Sequence, residues 1–118
     1  MTAKPKPLPA ASMHVALALL DGELHGYALM RRVEELSDGA VRMGPGTLYG
    51  AINRLLDARL VEETTHRRTS AAADRDGTER RRYYELTANG RTVALDEVRR
   101  LAALVRHTAK HLPGPATT

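Results

Sequence analysis

The 118-residue sequence contains no cysteine, tryptophan or phenylalanine, and four tyrosines are its only phenyl-bearing residues. Without cysteine, the chain can form no disulfide, no thiolate nucleophile and no cysteine-based metal site. Its core must be built mainly from aliphatic side chains. A chain of this length predicts one domain with a modest core.

Signals for catalysis are equally scarce. Serine occurs only at Ser12, Ser37 and Ser70, and no glycine-rich phosphate loop followed by lysine is present. No nucleophile, base and orienting group occur together in a recognisable arrangement. We therefore predict that the protein is not an enzyme and requires no cofactor.

Histidines give only a weak indication of a metal site. His107 and His111 lie four residues apart, a spacing compatible with zinc, but no cysteine or patterned carboxylate completes the ligand set. A lone histidine such as His25 is more typical of a structural role, and we expect it to hydrogen-bond at the start of a helix. The sequence predicts no metal site.

Long hydrophobic runs are also missing. The apolar stretch from Met13 to Leu20 has eight residues and includes His14, so it is too short to cross a bilayer. The first seven residues carry two lysines but no signal-peptide cleavage pattern. We expect a soluble, cytoplasmic protein with no membrane partner.

Positive charge is concentrated in one segment. The formal net charge is +4, and the segment 66–82 contributes +3 of it through six arginines and three acidic residues. A localised basic patch is typical of a phosphate-binding surface, although such runs are also typical of solvated loops. Five of these arginines are candidates for contacts with DNA phosphates: Arg67, Arg68, Arg80, Arg81 and Arg82.

Apolar spacings of three and four predict four helices, and alternating residues predict two strands. The helices are expected over Leu8–Leu20, from His25-Gly26-Tyr27, from Gly44-Pro45 and over Ala88–His111. The strands are expected over about 61–68 and over 82–86, where alternation directs Tyr84 and Leu86 inward.

Local signals mark the ends of these elements. The segment from Asp21 to Leu24 reads as a turn, and Gly39 suits a left-handed cap that stops the second helix. Thr87 is a favourable N-cap for the fourth helix.

The third predicted helix has two dissimilar faces. At about 100° per residue, the large apolar side chains cluster inward: Leu48, Ile52, Leu55 and Leu56. The opposite face includes Gly46 and Gly50, each costing about 1 kcal/mol relative to alanine. Two such glycines predict that the backbone there approaches another surface closely.

A helix with an open face followed by a basic hairpin is typical of a winged helix-turn-helix protein. We predict this fold, mainly α with a small β-hairpin, followed by a C-terminal helix for dimerisation. The predicted division is a disordered tail over 1–7, a DNA-binding winged-helix domain over 8–86, a dimerisation helix over 87–112 and a disordered tail over 113–118.

The fourth predicted helix carries more apolar surface than the rest of a small domain can cover. A second copy of the same helix would cover it, and closed twofold dimers are the commonest soluble oligomers. Packing on the first helix is the alternative. The predicted dimer contacts are Ala94, Val98, Leu101, Val105 and Leu112.

In a winged helix the third helix enters the major groove with its N-terminal turns nearest the bases. Gly46, Thr47 and Tyr49 suit phosphate contacts there, while Asn53 suits adenine and Arg54 suits guanine or a phosphate. Affinity would come mainly from phosphate neutralisation by the wing. A homodimer with helices one DNA turn apart predicts a pseudo-palindromic, double-stranded operator.

Three motifs in this order resemble the PadR family of bacterial transcriptional regulators. They are His25-Gly26-Tyr27, Pro45-Gly46-Thr47-Leu48-Tyr49 and the segment from Tyr83 to Arg91. The resemblance covers about residues 10–111, and the single helix after the wing is similar to the smaller subgroup of the family. It implies a dimeric winged-helix repressor that a small molecule often releases from its operator.

The sequence departs from the family pattern in two places. Gly50 stands where the motif commonly has proline, and the wing tip is longer than the compact family form. Both changes alter the DNA-facing surface. Some relatives also stack flat drugs on a tryptophan at the dimer interface, and this chain has none.

In a dimer, a pocket between the first and fourth helices of the two copies is the natural site for a small apolar or aromatic effector. Its candidate lining residues are Met13, Leu17, Val98 and Val105, which are equally good core residues. The alternative function is a winged-helix adaptor that binds protein, although an adaptor needs no arginine cluster on its wing.

Overall fold

The computed structural model describes residues 8–64 and 82–114. Four α-helices lie in this part of the chain: α1 (Ala10–Ala18), α2 (Gly26–Leu36), α3 (Pro45–Asp57) and α4 (Ala88–Thr108). Three short strands accompany them: β1 (Leu24–His25), β2 (Val61–Thr64) and β3 (Tyr83–Leu86). The predicted fold, mainly α with a small β-structure, is confirmed.

The ends of two helices differ from the prediction. The chain tightens into 3-10 turns over Leu19–Asp21 after α1 and over Ala109–His111 after α4. Both segments continue the predicted helices with a narrower winding, which is common at helix ends. The predicted strand beyond Thr64 and the wing tip lie outside the described residues.

The strands form an antiparallel sheet in the order β1-β3-β2. Val61 pairs with Leu86 in the hairpin, and Leu24 pairs with Tyr84 at the other edge of β3. The sequence predicted a turn over 21–24, and this is wrong for Leu24. A two-residue strand shows no alternation of its own and is defined only by its partner.

The core lies where α1, α2 and α3 meet the sheet. α1 is apolar on most sides, as predicted, and it packs against α2, α3 and α4. Aliphatic side chains from these helices fill the interior without phenylalanine or tryptophan. The large side chains that are almost fully buried are Val15, Leu19, Leu29, Val33, Leu48, Ile52 and Leu55.

Predicted helix caps are confirmed by their hydrogen bonds. The Thr87 hydroxyl accepts from the Gly90 amide at 3.0 Å at the start of α4. After α2, Gly39 adopts φ 83° and its amide donates to the Glu34 carbonyl at 2.8 Å. These contacts satisfy backbone groups that helix ends leave unpaired.

A tight corner joins the end of α3 to the start of α4. The Thr87 amide donates to the Leu60 carbonyl at 3.0 Å, and the Thr87 hydroxyl donates to the Arg59 carbonyl at 2.9 Å. Arg59 has φ 61°, in the left-handed region. Gly90 packs directly on the Leu60 carbonyl, so a Cβ at position 90 would overlap that oxygen.

We predict that Gly90→Ala destabilises the fold by about 3 kcal/mol, the upper range for overpacking, because the obstructing atoms belong to the backbone. Urea denaturation followed by circular dichroism measures the change. The control is Asn89→Ala at the neighbouring exposed position, expected to change stability by less than about 0.5 kcal/mol. Equal stabilities for the two variants would show that the corner accommodates a side chain.

Candidate nucleic-acid interface

The outward face of α3 is uncovered, as the sequence predicted. Leu48, Ile52 and Leu55 are almost completely buried, and Leu56 is half-buried against the core. Six of its exposed residues fall within about 120° of the helix circumference. They are Gly46, Thr47, Gly50, Asn53, Arg54 and Asp57.

Open space surrounds the two glycines of this face. A Cβ added at Gly46 or Gly50 would have no described atom outside the local helix within 4 Å. Neither glycine is therefore required by packing among the described residues. Gly44 provides α3 with no side-chain cap, so the amides of Gly46 and Thr47 at the positive end of the helix dipole can hold an anion.

Tyr49, a predicted phosphate contact, lies at the edge of the outward face. The residue is 44% exposed, and its hydroxyl lies against Gly26, the first residue of α2. Tyr49 therefore contributes to the packing between two helices as well as to the surface.

His25 starts α2 in the structural role expected for it. Its Nδ1 accepts from the Ala28 amide at 3.3 Å, which caps the helix. The imidazole meets the Tyr83 ring edge-on, with centroids 5.5 Å apart. β3 of the wing is thereby attached to the beginning of α2 by a side chain as well as by strand pairing.

A cleft of about 590 Å³ opens where α2, α3 and β3 meet. It is lined by His25, Gly26, Tyr27, Tyr49, Arg82 and Tyr84. Phenol, imidazole and guanidinium groups line it, together with the N-terminal end of α2. These groups suit hydrogen bonds to an anion such as a DNA phosphate.

Arg82 is the one wing candidate among the described residues. Its side chain is 74% exposed and its Nε lies 3.4 Å from Oε2 of Glu63. An exposed pair of this kind is weak, so the guanidinium can exchange the carboxylate for a phosphate at little cost. The other four candidates, Arg67, Arg68, Arg80 and Arg81, lie outside the described residues.

Tyr84 is buried beneath this surface, with 3% of its area exposed. Burial raises the pKa of its hydroxyl, and the negative charge of Glu63 and the neighbouring Tyr49 raise it further. Arg82, which hydrogen-bonds to the hydroxyl, opposes this shift in the pKa. The folded state therefore favours the neutral phenol.

We predict that the free energy of unfolding falls as the pH rises above 10.0, the ordinary pKa of tyrosine. The raised pKa of Tyr84 stabilises the fold below that value, and this contribution is lost as the pH climbs toward the folded pKa. Denaturant titrations across alkaline pH measure it. In Tyr84→Phe the fall should be shallower, and an identical pH dependence in both proteins would contradict the assignment.

The predicted dimer residues divide into two groups. Ala94 is fully buried in the chain's own core, so its assignment to a dimer contact is corrected: intramolecular packing already covers it. Farther along α4, Val98 and Val105 are 40% and 57% exposed and Leu101 is half-buried, and Leu112, beyond the end of the helix, is 69% exposed. The apolar stripe thus continues beyond the part of α4 that the described core covers.

Met13 and Leu17, suggested for an effector pocket, lie on α1 and are half-buried. Leu17 packs against the core, while Val98 and Val105 lie on the exposed stripe of α4. None of these residues lines the cleft between α2, α3 and β3.

Within residues 8–64 and 82–114, no group of three or more His, Cys, Asp or Glu side chains is arranged to hold a metal. No helix there is long and apolar enough to cross a membrane.

The three-helix core, the antiparallel strands after α3 and the exposed α3 face define a winged helix-turn-helix protein. The sequence matches the model of the transcriptional regulator PadR-like family over residues 16–96. The chain belongs to this family of transcriptional regulators, which are not enzymes.

The chain is also similar to individual proteins. An uncharacterized 37.1 kDa protein in transposon TN4556 of Streptomyces fradiae is 51% identical over 51 residues, which are 43% of this chain but only 14% of that protein. A PadR family transcription regulator of Clostridium difficile is 19% identical with a TM-score of 0.68, covering 89% of this chain and 100% of its own.

A second solved structure is Bacillus subtilis PadR in complex with operator DNA. It is 20% identical with a TM-score of 0.60, and the match covers 95% of this chain and 54% of that one. At these identities, the two structural matches show a shared fold.

Proposed function

We propose that this chain is a dimeric repressor that binds a pseudo-palindromic DNA operator through α3 and the wing. The observation that carries the proposal is the exposed face of α3, where Asn53 and Arg54 stand beside two glycines that no packing among the described residues requires. A family relative has been solved with operator DNA, which supports DNA as the partner.

The chemistry of this face suits the major groove. The glycines permit close approach of the backbone, and the amides at the start of α3 can hold a phosphate. Asn53 has the donor and acceptor pair that adenine requires, and Arg54 can bind guanine or a phosphate. Arg82 and the wing candidates Arg67, Arg68, Arg80 and Arg81 would supply sequence-independent attraction.

Selection from a pool of random double-stranded DNA tests this function. The expected result is a pair of inverted half-sites with centres about one helical turn apart. Selection of no sequence above the random background would favour the alternative of a protein-binding adaptor. Affinity for the selected operator should also fall steeply with salt, because phosphate neutralisation releases counterions.

We predict that Asn53→Ala lowers affinity for the selected operator about tenfold while leaving affinity for random DNA nearly unchanged, because a base contact discriminates sequence. Fluorescence anisotropy with both DNAs measures the ratio. Asn53 is exposed, so the fold is expected to persist. Equal losses on the two DNAs would contradict a base-reading role.

The dimer is supported by the exposed apolar stripe of α4. Val98, Leu101 and Val105 on this helix, and Leu112 just after it, are only partly covered by the described residues of the same chain. Burying such side chains removes apolar surface from water, and the same stripe on a second copy is complementary to it. An effector held between the two copies would act on the spacing of the α3 helices.

We predict that Val105→Glu converts the dimer to a monomer. Val105 is 57% exposed in the single chain, so a carboxylate there leaves the fold intact but is costly inside an apolar interface. Sedimentation equilibrium should give about twice the 12.9 kDa chain mass for the unaltered protein and one chain mass for the variant.

The matched control is His107→Glu. Position 107 lies on the opposite side of α4 in the same turn of the helix and is also exposed. It introduces the same side chain near the same helix end, so it should leave the mass of the dimer unchanged. A dimer in both variants would place the interface elsewhere.

A further inference from the structure

Gly26 and Tyr49 form a contact between the two helices of the helix-turn-helix. Gly26 is the buried first residue of α2, and the three atoms nearest to an added Cβ all belong to the Tyr49 phenol. The hydroxyl would overlap that Cβ, while Cζ lies 3.0 Å and Cε1 3.6 Å from it. A side chain at position 26 would therefore displace the phenol.

Tyr49 also reaches the base of the wing. It lines the same cleft as Tyr84 of β3, and it contributes to the raised pKa of the Tyr84 hydroxyl. Tyr84 is fixed in turn by its strand pairings with Leu24 and Glu63. The phenol of Tyr49 thus lies at the junction of α2, α3 and β3.

Successive residues anchor α3 at two points around its circumference. Leu48 is fully buried in the core, and Tyr49, about 100° farther around the helix, rests on Gly26. The buried Leu48, Ile52 and Leu55 already hold one side of α3 in the core, and the contact of Tyr49 with Gly26, on an adjoining side, restricts the rotation of the helix further. The rotation decides which side chains face outward.

Asn53 follows Tyr49 by one helical turn and lies on the adjacent part of the surface. A change in the seating of Tyr49 therefore moves Asn53 with it. Relocation of an amide by about an ångström is enough to break a bidentate contact with a base, because such hydrogen bonds tolerate little change in length.

We propose that Tyr49 is a positioning residue for sequence recognition: its phenol, seated on Gly26 and beside Tyr84, fixes the rotation of α3 relative to α2 and the wing. The inference rests on the proposed DNA-binding function, which it deepens. Gly26 serves the same purpose by leaving room for the phenol.

A double-mutant cycle tests the proposal with the selected operator and with random DNA. Gly26→Ala is expected to lower operator affinity about tenfold, because the displaced phenol shifts Asn53 away from its base. It should lower random-DNA affinity by less than about twofold. Residues in contact are coupled, so the two substitutions should not act independently. In the Tyr49→Ala background, Gly26→Ala should change operator affinity by less than about twofold. The same factor in both backgrounds would overturn the proposal.

Tyr27→Ala provides the matched control. Tyr27 lines the same cleft and is 63% exposed, but its atoms are not among the three nearest to a Cβ at position 26. It should leave the tenfold effect of Gly26→Ala in place. Relief by Tyr27→Ala equal to that by Tyr49→Ala would also overturn the proposal.

Thermal unfolding supplies a readout independent of DNA. If Gly26→Ala fails to fold, restoration of folding by Tyr49→Ala supports the contact, and failure of Tyr49→Ala to restore it overturns the proposal. A purely structural role for Tyr49 would lower the midpoint without changing the ratio of operator to random affinity. An unaltered protein with no operator preference would instead refute the proposed function.

Discussion

The packing of Gly90 on the Leu60 carbonyl is the constraint on which the arrangement of helices depends. It brings the first turn of α4 against the chain that leaves α3, and the two hydrogen bonds of Thr87 hold it there. The direction of α4 is therefore set by the residues that end α3. In the proposed dimer, the angle between α3 and α4 sets the positions of the two α3 helices relative to each other.

Much of the fold could be predicted from the sequence because the signals that mark its helices and turns are local. Pro45 and Thr87 mark helix starts through backbone chemistry that depends on neighbouring residues alone. The two faces of α3 follow from the period of its apolar residues. β1 was not predictable in this way, since two residues carry no pattern and its pairing partner Tyr84 is far along the chain.

The candidate site was predictable to the extent that exposure follows from helical period. The open face with Asn53 and Gly50 was found, but the packing of Tyr49 on Gly26 was not, because it joins residues on different helices. Ala94 shares the spacing of the exposed stripe. Spacing alone does not tell which part of a long stripe the same chain already covers.

The corner at Gly90 also makes α4 a lever arm. Its 21 residues extend about 31 Å at 1.5 Å per residue, so a rotation of about 5° at the anchored end moves the far end by about 3 Å. That displacement is close to the rise of about 3.4 Å between successive base pairs. In the proposed dimer, the angular stiffness of this corner would set how much variation in half-site spacing the two chains tolerate.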